Sequence, residues 1–94
     1  MSDMTSLTKI ISKDFEVSEN LTENQLREAL VKTFEYLVED NFQKLLQILY
    51  KADVDQYKLK ELLANSEGKS TAEIIADAYI ERQKQKVETW KKYS

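Results

Sequence analysis

Any chemistry in this chain has to come from carboxylates, lysines, hydroxyls and tyrosines, because it contains no histidine and no cysteine. Glu35 and Glu39, with Asp40 beside them, stand four residues apart, as do Asp77 and Glu81. On a helix such pairs share a face, where they could hold a divalent ion or divide the work of an acid and a base. Di-metal centres in helix bundles draw on Glu-x-x-His ligands, however, and histidine is also the commonest general base. Without it these acids read as ordinary solvated surface. A serine nucleophile would need a lysine as its base, and no motif singles out a serine for more than helix capping. The absence of cysteine removes disulfides, thiolate zinc sites and cysteine nucleophiles, and fits a reducing cytoplasm. The chain is therefore expected to be no enzyme and to need no cofactor or metal.

Two further groups of side chains could recognise rather than transform. Tyr36, Tyr50, Tyr57, Trp90 and Tyr93 fall near the edges of the apolar stripes, and aromatics with a polar end are enriched where proteins bind one another. They serve equally well as core-rim residues with the hydroxyl in water. Arg82, Lys84, Lys86, Lys91 and Lys92 mix with Trp90 and Tyr93 in a texture seen in segments that contact nucleic acid or membrane surfaces. Glu81 and Glu88 dilute it, and lysines also suit a helix C-terminus, where they face the negative end of the dipole. A net charge of −3 argues against a phosphate-binding footprint.

Three local patterns are set aside on their own residues. Asp53-x-Asp55 resembles the opening of a calcium loop, but Lys58 stands at the glycine position and Ala64 at that of the bidentate glutamate. Residues 55–90 contain a short helix, a turn and a longer helix, yet the connection is too long for a helix-turn-helix. Its reading positions, Thr71-Ala72-Glu73-Ile74-Ile75, are acidic or apolar. Asn20-Leu21-Thr22 matches a glycosylation sequon without an export signal, and reads as a helix start.

These side chains must be positioned by helices. There is no proline and one glycine, Gly68, in 94 residues, and helix-favouring residues fill the apolar-periodic stretches. Residues 26–50 form the most densely apolar run. Leu26, Leu30, Phe34, Leu37, Val38, Phe42, Leu45, Ile48 and Leu49 recur at three- and four-residue intervals, on a stripe too wide for one partner helix. The polar triplet Glu39-Asp40-Asn41 could continue the helix or let Asp40 cap a second one. A break is expected, because one helix of about thirty residues would extend roughly 45 Å. Thr22 with Gln25, and Ser70 with Glu73, form capping boxes, and Asp53 or Asp55 can cap a short helix between them. Pairs Glu23–Arg27, Glu28–Lys32 and Asp40–Lys44 at i,i+4 mark a solvated side.

The resulting expectation is an all-α bundle of four to five helices over 6–16, 23–39, 41–52, 55–64 and 71–92. Residues 1–20 form a short helix or flap, with Ser6 as its cap and Leu7, Ile11 and Phe15 on one face, and 21–94 form a single helical domain. The first half of the last helix should be sandwiched between neighbours, its second half lying at the edge or projecting. No window approaches the ~20 apolar residues of a membrane span. The segments LLQILYKADVD (45–55) and IIADAYIERQKQK (74–86) resemble a family of small, uncharacterised bacterial helical proteins, which implies a small bacterial cytoplasmic domain and carries over no activity. By subtraction the expected function is protein–protein interaction or self-association as a homodimer. The alternative is a minor nucleic-acid accessory using the basic C-terminal helix end.

Overall fold

The computed structural model describes residues 3–17 and 21–93, with side chains at 6–17, 21–90 and 92. It is all-α: α1 Asp3–Ile11, α2 Glu23–Asp40, α3 Phe42–Lys51, α4 Gln56–Ala64 and α5 Thr71–Tyr93. Asn20 of the sequon and the side chains of Lys91 and Tyr93 lie outside the described residues.

Both capping boxes form. Thr22 Oγ1 accepts from the Gln25 N–H at 3.2 Å while Gln25 Oε1 accepts from the Thr22 N–H at 3.0 Å. Ser70 and Glu73 repeat the exchange at 3.1 and 2.9 Å. Each box satisfies backbone donors that a helix N-terminus otherwise leaves open. The break after α2 is present, but Asn41 rather than Asp40 makes it. Asn41 donates its own N–H to the Leu37 carbonyl, and its Oδ1 accepts from the Lys44 N–H at 3.3 Å. One residue thus ends α2 and opens α3.

Between α3 and α4 the two aspartates divide the work. Asp53 sits at φ 63°, its N–H donating to Tyr50 and the following Val54 N–H to Leu49, both at 3.1 Å. These are the paired bonds of a Schellman ending, with aspartate where glycine is usual. Asp55 then caps α4, accepting from the Tyr57 and Lys58 N–H groups. Before α5, Glu67 and Gly68 both have positive φ, and the Lys69 N–H closes on the Ser66 carbonyl, a turn in which glycine is favoured.

The first helix begins earlier than expected, so Ser6 lies inside it rather than at its cap. It also ends earlier. Tight turns over Ser12-Lys13-Asp14 deliver Asp14 and Phe15 to the middle of α5.

Helix α5, rather than the run 26–50, is the hub: α1, α2 and α4 all pack on it, while α3 packs on α2. The core joins Leu7, Ile10 and Ile11 of α1 to Leu26, Leu30, Phe34 and Leu37 of α2, and to Ala72, Ile75, Ala76, Tyr79 and Ile80 of α5. At its centre Phe15, Phe34 and Tyr79 meet edge to face with ring centroids 5.4 to 5.6 Å apart. Such geometry sets the positive ring edge against a negative face. The second half of α5 stays on the domain. Gln83 and Val87 are buried, and the Lys13 Nζ stands 5.5 Å from the centre of the Trp90 ring.

The expected i,i+4 pairing at the start of α2 gives way to longer reach. Arg27 binds Asp77 of α5 and approaches Glu73, and Glu23 pairs with Lys84 at 2.8 Å. Arg27 belongs to the row that faces α5, so its guanidinium meets that helix's acids before it meets Glu23. Among the described residues no helix is long and apolar enough to cross a membrane.

Candidate interaction groove

Helix α3 carries more apolar surface than its neighbours cover. Leu45, Ile48 and Leu49 face the core, with Leu45 1% exposed, but Phe42, Leu46 and Tyr50 stand 53, 50 and 79% exposed. Spaced by four, these three form one row along the helix. Helix α4 contributes no fully buried residue: Leu59 and Leu63 are half-buried and Leu62 is exposed. The facing flanks of α3 and α4 enclose a groove of about 610 Å3. One wall is Phe42, Leu46, Leu49 and Tyr50, the other Gln56, Leu59, Lys60 and Leu63, and Thr71 and Ile75 of α5 also line it. Predominantly apolar concavities of this size are where proteins take ligands and partner side chains.

The residues singled out from the sequence are not brought together. Tyr50 lines the groove; Tyr36, Tyr57 and Trp90 do not. Tyr36 and Tyr57 are exposed on α2 and α4, and Trp90 lies at the far end of α5 beside Lys13. Of the groove's own anchors, Phe42, Leu59 and Leu63 read as core periodicity, while Leu46 stands outside the periodic set. The signal that marks them is surplus: α3 has apolar residues on two adjacent rows, where one suffices to dock it.

The basic C-terminal group is likewise divided. The Arg82 Nε donates to the Asp53 carbonyl at 3.0 Å and its Nη2 to the Asp53 carboxylate at 2.9 Å, clamping the left-handed residue between α3 and α4. Lys84 is paired with Glu23. Among the described residues, Lys86 and Lys92 have no salt-bridge partner.

Among the acids, Asp77 receives two Arg27 hydrogen bonds, Nε to Oδ1 at 2.6 Å and Nη2 to Oδ2 at 3.1 Å, with the Lys69 Nζ 3.8 Å away. The Arg27 bonds hold its carboxyl below the ordinary range against the opposing effect of burial. Glu73 is also held low, by the Ser70 N–H and hydroxyl. Tyr79, fully buried, donates its hydroxyl to Asp14 Oδ2 at 2.7 Å. Burial, then that bond, push its phenol well above the usual range. These groups are tied into helix packing, and no cluster of three or more acids suited to a metal occurs among the described residues.

No protein-family model, curated protein or solved structure matches the chain.

Proposed function

We propose that the protein is a non-catalytic interaction module that docks a partner protein in the groove between α3 and α4. One observation carries this reading: the exposed row Phe42, Leu46 and Tyr50 runs along a concavity whose opposite wall carries Leu59 and Leu63. The chain carries only three phenylalanines and one tryptophan, so leaving Phe42 half in water forgoes core stabilisation that the fold could have used. A docked partner recovers that burial.

The test compares what is retained from an extract of the source cells by the wild-type chain, by Leu46→Glu and by Tyr36→Ser. A discrete protein retained by wild type and Tyr36→Ser, but lost with Leu46→Glu, supports the reading. Retention indifferent to Leu46, or nothing retained by any of the three, refutes it.

A further inference from the structure

Resting on that docking reading, we infer that the groove takes an acidic amphipathic helix of a partner protein, with a partner carboxylate reaching Lys60. Three properties of the groove select this occupant.

The first is shape. Both walls are helices, and a partner meets a trough between two helices by laying an apolar helical face along it, with anchors three and four residues apart. The described residues offer no strand edge to extend instead. Helix α3 has 10 residues and α4 has 9. At 1.5 Å per residue the walls extend about 13 to 15 Å, room for about three turns of a docked helix.

The second property is charge. Lys60 is the one charged side chain among the described residues that line the groove; its other polar neighbours there are Gln47, Gln56, Thr71 and Tyr50. A cation at the rim of an apolar trough favours a carboxylate beside the partner's apolar stripe and disfavours a lysine in that place.

The third property disfavours two-fold self-docking. A two-fold dimer sets the same patch of two copies face to face. Here it would gather two Lys60 side chains at one interface whose lining supplies no carboxylate, and like charges so placed are repelled. Among the described residues the lining holds no carboxylate of its own to meet Lys60, which favours an acid supplied by a different chain.

The experiment uses the full chain and three fluorescent helical peptides of about sixteen residues. They share leucines at i, i+3, i+4 and i+7 and differ only in flanking charge: glutamate, glutamine or lysine. Affinities are read by anisotropy at 0.15 M salt, where the chain's net negative field is screened beyond about 8 Å. Amide shifts locate the site, and light scattering gives the oligomeric state. The glutamate peptide is expected to bind about fivefold more tightly than the lysine peptide, shifting amides of 42–63. Lys60→Glu should reverse the order, and Leu46→Glu should abolish binding of all three.

Equal affinities for the three peptides, or an order unmoved by Lys60→Glu, overturn the acidic partner while leaving helix docking intact. No binding by any peptide overturns the helical acidic occupant, whereas the docking reading falls only if retention from the extract is absent or indifferent to Leu46→Glu. A dimer whose formation shifts the same amides overturns the inference in favour of a second copy. Dodecanoate occupying the groove while all peptides fail overturns it in favour of a lipid.

Discussion

At the scale of single residues, the contacts that tie the fold together join positions far apart in the chain. Arg27 to Asp77 spans 50 residues and Tyr79 to Asp14 spans 65. Neither was legible in the sequence, because Glu23 is an equally good partner for Arg27 by local spacing, and which acid wins depends on where α5 lies. The Arg27–Asp77 pair makes a pH prediction. Asp77 titrates lower when folded than its unfolded value of about 3.9, so its contribution is fully present above that value. It fades as pH falls through the folded pKa, since the unfolded chain then takes up the proton more readily. The stability gap between wild type and Asp77→Asn, read from urea midpoints at pH 7 and stepwise down to about pH 2.5, should therefore narrow on the acid side. A gap constant across that range would show that Asp77 is not held ionised by Arg27. Asp53 makes a second prediction. At φ 63° an ordinary side chain is strained, and Arg82 holds both its carbonyl and its carboxylate. Asp53→Ala should cost about 1 to 2 kcal/mol by urea unfolding, since alanine lacks aspartate's local tolerance of that region. Asp53→Gly should stay within about 0.5 kcal/mol, relief of strain offsetting the lost surface pair.

At the scale of elements, what reads from sequence is whatever closes within a turn or two. Thr22 with Gln25 and Ser70 with Glu73 were legible because a capping box spans three residues and needs no tertiary partner. The choice of Asn41 over Asp40 was not, because side chains of both can accept from a helix N-terminus and only the register of α3 decides between them. That register follows from Leu45, Ile48 and Leu49, which must all turn inward. Asn41→Ala should therefore destabilise by about 1 kcal/mol, whereas Asp40→Ala should change stability by less than about 0.5 kcal/mol. Thermal and urea denaturation of the two variants side by side would check this, and equal losses would mean that the break rests on packing rather than on the cap. The start of α1 differs from the local signal for a related reason. Ser6 is a good cap by type, but the helix continues upstream and places it in the interior. The turns after Ile11 exist to bring Phe15 onto Phe34 and Tyr79, a destination that local spacing does not encode.

At the scale of the whole molecule, the domain measures 36 × 26 × 25 Å, and its covering is uneven. Helix α5 is wrapped by α1, α2 and α4, whereas α3 and α4 leave apolar flanks facing one another across open space. Periodicity revealed how wide the apolar stripe on α3 is, but not that α4 would leave part of it open, because that depends on the turn at Asp53 and its clamp by Arg82. If the groove is a surface and not a fault in the core, its residues and the core residues of the same helix must respond differently to substitution. Leu45 is 1% exposed, so Leu45→Ala removes buried methyl groups and leaves a cavity, at a cost of about 2 to 5 kcal/mol. Leu46 is its immediate neighbour in sequence but half in water, so Leu46→Gln loses only part of its burial and should cost less than about 1 kcal/mol. Adding Phe42→Gln should extend the same trend without a jump, since the two side chains lie one turn apart on the same open row. The measurement is urea unfolding of the single and double variants against Leu45→Ala, with retained helicity by circular dichroism. A double variant as unstable as Leu45→Ala would mean that α3 and α4 close over Phe42 and Leu46 in solution. In that event the groove would be part of the core, and the docking surface would have to be sought elsewhere on the molecule.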